Sequence, residues 1–193
     1  MSDDEKGNSR RTFLSATTST LFALGAVGVA TPYVRSWSPS ARARAAGAPV
    51  EIDLNKIPDG GLLVEEWRGK PIYVIKRTQE MLDSMEEVVD ELRDPDSEDK
   101  QQPAYAKNQN RSRNPGVLVI EGICTHLGCT PKYRTKKSED GFSGFFCPCH
   151  GSKFDFAGRV YKGVPAPANL VVPPHYFADE STLVVGIEEK ETS

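Results

Sequence analysis

Two short segments hold most of the potential metal ligands of this chain and restrict how it can fold. Box 1, Cys124-Thr125-His126-Leu127-Gly128-Cys129, and box 2, Cys147-Pro148-Cys149-His150-Gly151-Ser152, contain all four cysteines and two of the three histidines. Each box places a thiol close to an imidazole, so two converging loops would supply one metal centre with sulfur and nitrogen ligands. A zinc site with two cysteines and two histidines uses the same ligand types, and the spacing alone does not exclude zinc.

Taken together, the two boxes resemble the cluster-binding signature of the high-potential Rieske iron-sulfur proteins of quinol-oxidising cytochrome bc complexes. The resemblance implies a single [2Fe-2S] cluster and a disulfide that low-potential Rieske ferredoxins and oxygenases generally lack. The implied ligands are Cys124 and Cys147 on one iron and His126 and His150 on the other, with the disulfide between Cys129 and Cys149.

Mixed ligation has a physical consequence for the reduction potential. Two ferric irons, two sulfides and two thiolates sum to zero charge, and a neutral cluster accepts an electron more readily. The potential therefore rises from roughly −400 mV to the range of roughly −150 to +300 mV. An imidazole on iron should also regain basicity when the iron is reduced, which couples electron uptake to proton uptake. This suits a quinol donor, and the resemblance implies that His150 contacts the quinol with His126 beside it at the exposed tip.

Other residues around the boxes take roles by the same resemblance. Ser152 matches a serine whose hydroxyl points at a cluster sulfur. Leu127, which precedes Gly128, is expected to cover the cluster, with ordinary loop packing as the alternative. Phe154 stands where many respiratory members have a tyrosine whose hydroxyl reaches a ligand cysteine. Its missing hydroxyl predicts a lower potential than in the tyrosine-bearing relatives.

Beyond box 2, Gly163-Val164-Pro165-Ala166-Pro167 resembles the proline loop that covers one side of the cluster in the family. Gly163, Pro165 and Pro167 carry this likeness, and prolines suit the task because their fixed φ keeps a short loop stiff. His175 lies outside both boxes and is predicted to be a packed or surface residue rather than a ligand.

The N-terminus resembles an export signal. Ser9-Arg10-Arg11-Thr12-Phe13-Leu14 has the form of a twin-arginine signal, the route of proteins that fold around a cofactor before export. The uncharged run Thr12–Val34 is 23 residues long, about 35 Å as a helix, which is enough to cross a bilayer core of about 30 Å. We expect it to be retained as an anchor, although Ala41-Arg42-Ala43 has the form of a processing site. This predicts a single-pass protein of the bacterial inner membrane with a periplasmic head.

The expected domain order follows from these segments. Residues 1–11 are the cytoplasmic N-terminus with its signal, 12–35 the transmembrane anchor, and 36–49 a flexible tether rich in Ala, Ser, Pro and Gly. Residues 50–193 are the Rieske domain, with a cluster-binding subdomain at about 121–167. In the family the tether lets the head move between the quinol site on cytochrome b and the haem of cytochrome c1.

Short strands dominate the pattern of the head and predict an all-β fold, a Rieske-type antiparallel β-sandwich with one inserted helix. Alternation or turn signals predict strands at 50–54, 62–67, 71–77, 117–120, 170–172 and 182–187, and helical spacing of apolar residues predicts a helix at 80–92. The polar segment 96–114 is predicted to be a long surface loop. The basic residues from Lys132 to Lys137 are predicted to form a solvated loop, with partner contact as the alternative.

Charge excludes one class of partner. Six of the 24 basic and three of the 27 acidic residues precede residue 46, so the head carries a formal charge of −6 and is not expected to bind nucleic acid. The sequence predicts the electron-carrying subunit of a quinol:cytochrome c oxidoreductase, with ubiquinol, cytochrome b, cytochrome c1 and the lipid bilayer as partners in a dimeric complex. The alternatives are the small Rieske subunit of a molybdenum oxidase, such as arsenite oxidase, and a structural zinc module.

Overall fold

The structure, a computed structural model, describes residues 3–41, 43, 47–136 and 141–188. The chain divides into two compact units, Met1–Ala45 and Ala46–Ser193. Residues 42 and 44–46 of the predicted tether, and Lys137 of the basic run, lie outside the described residues.

The first unit is built on helix α1, Asp3–Ser36. Its segment Ser9–Ser36 has a mean hydropathy of 1.6 and fits a single membrane span. Three of the threonines inside this apolar run donate their hydroxyls to carbonyls four residues earlier, at 2.7 to 2.9 Å: Thr17, Thr20 and Thr31. Because these hydroxyls are hydrogen-bonded within the helix, placing them in the hydrocarbon core of a bilayer costs less free energy than placing unbonded hydroxyls there.

The second unit, the head, is organised by short antiparallel strands and helix α2, Gln79–Glu87. The strands are β1 Val50–Asp53, β2 Leu62–Trp67, β3 Lys70–Lys76, β4 Val117–Glu121, β5 Lys132–Arg134, β6 Gly144–Phe146, β7 Lys153–Phe154, β8 His175–Phe177 and β9 Thr182–Val185. In the described part of the head they form three sheets, with the orders β1-β9-β8, β2-β3-β4 and β5-β6-β7. The predicted all-β head with an inserted helix is confirmed.

The sheet β2-β3-β4 is the middle layer of the head, because the residues of β3 and β4 alternate between two cores. Ile72 and Val74 of β3 face the core that includes Ile52 of β1 and Leu183 of β9. The intervening Tyr73 and Ile75 face the opposite core, which the middle layer shares with β6, β7 and both boxes. Strands buried on both faces cannot shift register without exposing apolar side chains, so this layer is a fixed support for the boxes.

The predicted helix at 80–92 is too long. Helix α2 begins at Gln79, where the hydroxyl of Thr78 accepts a hydrogen bond from the backbone N–H of Met81 (3.3 Å), and it ends at Glu87. A 3-10 turn, Val89–Glu91, follows it. The helix stops because Leu92 is buried and bridges to Tyr161 as an isolated antiparallel pair, which requires an extended backbone.

The segment 96–114 is not a simple surface loop. Ser97, Ala106, Arg111 and Ser112 are buried, and a 3-10 turn spans Ala104–Ala106. The error arose because most of the buried side chains are polar, and alternation of apolar residues cannot detect polar side chains that fold inward.

Two further predictions need correction. Residues 170–172 form no strand within the described chain. They are irregular backbone that hydrogen-bonds to Glu121, Gly158 and Gln101, and the closing hairpin is instead β8 with β9. The basic run is not all loop either, since Lys132–Arg134 is β5 and pairs with β6.

His175 is packed in the head, as predicted. It is fully buried, its Nδ1–H donates to the carbonyl of Pro173 (2.8 Å), and its backbone N–H donates to the Tyr105 hydroxyl (2.8 Å). Nε2 is buried and has no hydrogen-bond partner among the described residues. Burial lowers the pKa of His175 to about 4, and the positive charge of Arg113 acts in the same direction.

We expect this histidine to make the head sensitive to acid. In the unfolded chain its pKa is about 6.5, so between pH 6.5 and 4 the unfolded state binds a proton that the folded state does not. The free energy of unfolding is therefore highest above pH 6.5, and it falls by about 3 kcal/mol as the pH drops from 6.5 through 4. Urea unfolding of wild type and His175→Asn from pH 7.5 to 4 measures this, because asparagine keeps a donor near Nδ1 but does not titrate. Equal slopes of stability against pH in both proteins would contradict the expectation.

Candidate metal centre

Each box is a loop that leaves the end of a strand and closes on itself in the same way. Box 1 follows β4, and box 2 joins β6 to β7. In box 1 the N–H of Gly128 donates to the carbonyl of Cys124 (3.0 Å), and the N–H of Cys124 donates to the carbonyl of Cys129 (2.7 Å). Box 2 repeats both bonds with Gly151, Cys147 and Ser152, at 2.9 and 2.8 Å. The two loops therefore have the same hydrogen-bonded frame.

A glycine is required in each loop. Gly128 and Gly151 occupy equivalent positions with φ of +81° and +78°, in the left-handed region that other residues adopt only with strain. The backbone turn therefore explains why a glycine follows Leu127 in box 1 and His150 in box 2. The role of Gly128 is to form this turn.

The structure brings the four predicted ligands together. Cys124 and Cys147 are each 2% exposed and hydrogen-bond to each other through their side chains. The rings of His126 and His150 lie with their centroids 4.8 Å apart and nearly perpendicular. The thiols are therefore on the buried side, while His150 is exposed and His126 half-buried.

A disulfide between Cys129 and Cys149 joins the two loops, with a Cα–Cα distance of 6.7 Å. The sulfurs of Cys129, Cys147 and Cys149 all lie within 4.8 Å of one another. Because two of these sulfurs form the disulfide, Cys147 is the thiol of this group that can still bind a metal. The crosslink lies directly beside the candidate ligands and restricts how far the loops can separate.

The electrostatic surroundings of Cys124 suit a metal-bound thiolate. Burial raises the pKa of the Cys124 thiol, and so does the neighbouring Cys147. The backbone N–H of His126 and the hydroxyl of Ser152 donate to its sulfur and act in the opposite direction. A buried thiol with two donors directed at its sulfur is better suited to binding a cation than to existing as a free thiolate.

The residues present fit a metal centre with two sulfur and two nitrogen ligands. Nδ1 of His126 is buried and has no hydrogen-bond partner in the described chain. A buried polar atom without a partner is costly, and iron bound at Nδ1 would remove this cost. Two adjacent thiols and two adjacent imidazoles also match a cluster whose two irons carry different ligands.

The proline loop is bonded to both boxes. The N–H of Ala166 donates to the Ser152 hydroxyl oxygen (3.0 Å), and the Thr125 hydroxyl donates to the carbonyl of Ala168 (2.6 Å). Gly163 has φ of +72°, and Pro165 and Pro167 are exposed on either side of the buried Ala166. The sequence does not predict these contacts of Thr125, Ala166 and Ala168, because a backbone bond between distant segments leaves no local pattern.

Leu127 and Phe154 lie at opposite ends of the site. Leu127 is 71% exposed beside His126 and presents an apolar surface at the tip of box 1. Phe154 is fully buried in the core that contains Cys124 and Cys147, and it pairs with Phe145 across β6 and β7. The position at which a tyrosine was expected in relatives is therefore an apolar part of the floor beneath the loops.

Tyr73 supports both ends of box 1, although the sequence predicts it only as a strand residue. Its hydroxyl donates to the carbonyl of Pro131 (2.9 Å), just after the box, and its ring stacks on Phe145 with centroids 6.2 Å apart. Gly122, just before the box, lies so close that a Cβ there would come within 3.0 Å of the Tyr73 ring. The available signal was a glycine directly after a strand of large apolar residues.

Comparison with known proteins gives consistent results. The family described as the Rieske [2Fe-2S] domain matches residues 97–174. The ubiquinol-cytochrome c reductase iron-sulfur subunit of Allochromatium vinosum is 51% identical over 182 residues, covering 92% of this chain and 88% of that protein. The same subunit of Bradyrhizobium diazoefficiens is 41% identical over 178 residues, covering 92% and 94%. A chain of a hyperthermophilic respiratory Complex III has a TM-score of 0.51 and 28% identity, covering 88% of this chain and 98% of that chain.

We expect Gly122→Ala to displace the start of box 1. The added methyl overlaps the Tyr73 ring, which the Pro131 bond and Phe145 hold in place, so the variant should lose about 1 to 3 kcal/mol of stability and part of its iron. Urea unfolding and iron analysis of the purified chain measure both effects.

Gly116→Ala is the matched control, because its Cβ would lie 3.4 Å from Asn114 Oδ1 and fits there. It should stay within about 0.5 kcal/mol of wild type. Equal unfolding midpoints for the two variants would show that Tyr73 does not confine box 1.

Proposed function

Because the chain belongs to the family of ubiquinol-cytochrome c reductase iron-sulfur subunits, we propose that it carries electrons from ubiquinol to cytochrome c1 as the Rieske subunit of that complex. It is part of an oxidoreductase, and on its own it is an electron carrier. The observation that carries the proposal is the arrangement of two buried thiols and two imidazoles near the surface on two disulfide-linked loops.

The proposed ligands are Cys124 and Cys147 for one iron and His126 and His150 for the other. When bound, the [2Fe-2S] cluster accepts one electron at a higher potential than a cluster held by four thiolates, because its oxidised form is neutral. The chain keeps water from the sulfur side, where both thiols are 2% exposed, and leaves the imidazole side accessible. Contact with a redox partner is therefore expected at the histidines.

His150 is proposed as the residue that contacts ubiquinol. It is exposed, whereas His126 is half-buried, and the exposed Leu127 adds an apolar surface beside them. A quinol hydroxyl would donate a hydrogen bond to the imidazole nitrogen of His150 that is not bound to iron, and the proton would pass to that atom. The backbone of box 2 positions this residue, since the loop is closed by the bonds at Cys147 and tied to box 1 by the disulfide.

The cellular arrangement is also a proposal. Helix α1 would hold the chain in the bacterial inner membrane, and the Arg10-Arg11 pair would direct export so that the head faces the periplasm. Cytochrome b and cytochrome c1 would be its partners in a dimeric complex, and residues 36–49 would serve as the tether of the head. The disulfide supports an oxidising compartment. Protease added to spheroplasts should digest the head, and protection of the head would contradict the orientation.

The two other functions considered from the sequence receive less support. Relatives with up to 51% identity over most of the chain are named as ubiquinol-cytochrome c reductase subunits, which favours that complex over a molybdenum oxidase. The matched domain is described as a [2Fe-2S] domain, which favours iron over structural zinc.

The function is tested by an EPR spectrum of the dithionite-reduced full-length chain in detergent, together with iron and zinc analysis. We expect two irons per chain and a rhombic signal with an average g value well below that of a cluster with four cysteine ligands. His126→Ala should abolish the signal, and His175→Asn should keep it, because His175 is buried away from the boxes. A silent spectrum with one zinc per chain would overturn the proposal.

The same sample gives the midpoint potential and tests the role of position 154. A tyrosine hydroxyl that binds a ligand sulfur about 1 kcal/mol more strongly in the reduced state would raise a one-electron potential by ~40 mV. Phe154→Tyr is therefore expected to raise the midpoint. An unchanged or lower midpoint would show that the hydroxyl does not reach the sulfur from this buried position.

A further inference from the structure

We propose that Arg111, in the segment 96–114, is a positioning residue that sets the reduction potential of the metal centre through the proline loop. The inference rests on the proposed function, since it concerns the cluster that the boxes would hold. Arg111 lies outside both boxes and has no local sequence feature that links it to them.

The guanidinium of Arg111 holds the two ends of the proline loop together. Nη1 donates to the carbonyls of Ala157 (3.2 Å) and Gly158 (3.3 Å), which enter the loop, and Nη2 donates to the carbonyl of Leu170 (2.6 Å), which leaves it. The N–H of Leu170 also donates to the carbonyl of Gly158 (2.8 Å). We call these three residues, Ala157, Gly158 and Leu170, the neck of the proline loop.

The neck is packed so closely that arginine has little freedom to move. Arg111 is fully buried, and its own backbone has φ of +50°, in the left-handed region that residues other than glycine adopt only with strain. A Cβ at Gly158 would lie 3.3 Å from Nη1 and 3.2 Å from the Leu170 side chain. Gln102 accepts a further bond from Nη2 (3.0 Å) and fixes the outer edge of the guanidinium. Only a planar group with several donors can reach both ends of the loop at once.

The far end of the same loop acts on a candidate ligand. The Ala166 N–H donates to the Ser152 hydroxyl oxygen, which leaves the hydroxyl hydrogen free to donate, and the Ser152 hydroxyl lowers the pKa of the neighbouring Cys124 thiol. A hydrogen bond to a cluster sulfur withdraws electron density and favours the reduced state, so it raises the potential. Arg111 would therefore control a sulfur bond by fixing the loop that orients Ser152.

Arg77 provides a matched comparison. It is also a buried arginine that donates to several carbonyls, those of Pro115 (2.8 Å), Asn110 (2.9 Å) and Phe156 (3.3 Å). It supports the chain around Arg111 and also the residue directly before the neck, but none of the bonds described for it bridges the two ends of the proline loop. A substitution there tests the effect of loosening these surroundings without breaking the bridge.

The experiment measures midpoint potentials by EPR-monitored titration of the full-length chain in detergent for wild type, Arg111→Lys, Arg77→Lys, Ser152→Ala and the double variant Arg111→Lys/Ser152→Ala. Lysine keeps the charge but cannot bridge the neck. We expect Arg111→Lys to lower the midpoint and to lose iron to a chelator about tenfold faster, with Arg77→Lys close to wild type. In the Ser152→Ala background, Arg111→Lys should lower the midpoint no further, because the bond through which it acts is already gone.

The outcomes separate this inference from the proposed function. A wild-type chain without a Rieske signal would overturn the function itself. A normal wild-type signal with an unchanged midpoint in Arg111→Lys, or with equal shifts in the Arg111 and Arg77 variants, would overturn only the role of Arg111. If Arg111→Lys does not fold, Gln102→Leu removes the side-chain acceptor of Arg111 and should give a smaller shift in the same direction. Full additivity with Ser152→Ala would show that Arg111 does not act through that hydroxyl.

Discussion

Two loops that carry the metal ligands must be held in place without a strand ladder, and the rest of the head is arranged around this constraint. The matching hydrogen-bonded frames of box 1 and box 2 fix each loop, and the disulfide from Cys129 to Cys149 fixes one loop against the other. The proline loop adds bonds to Ser152 and Thr125. Each ligand side chain is therefore positioned by backbone bonds and a covalent link.

The middle sheet gives these loops a rigid base. Because β3 and β4 are buried on both faces, their ends cannot move without disrupting two cores. Box 1 begins directly after β4, and Tyr73 of β3 holds the chain on both sides of it. The aromatic layer beneath the boxes, including Phe145 and Phe154, excludes water from the thiols. The precision of the site thus comes from residues that never touch a metal.

The sequence was informative where a function depends on neighbouring residues and less so where it depends on distant ones. The boxes could be recognised because each brings its ligands within a few positions, and β2 to β4 could be located from their apolar patterns. The segment 96–114 could not, because Arg111 and Ser112 are buried through bonds to remote carbonyls rather than through apolar packing. The end of α2 was missed for a similar reason, since the pairing of Leu92 with Tyr161 is a tertiary contact.

Each loop supplies one thiol and one imidazole, and this division has a consequence for assembly. With the proposed ligands, one iron takes a cysteine from each loop and the other iron takes a histidine from each loop. Neither loop alone can saturate either iron, so a half-built site has no stable ligand set. Insertion and loss of the cluster should accordingly be all-or-none, and a population of such chains would contain full sites and vacant ones without an intermediate class that holds a single iron.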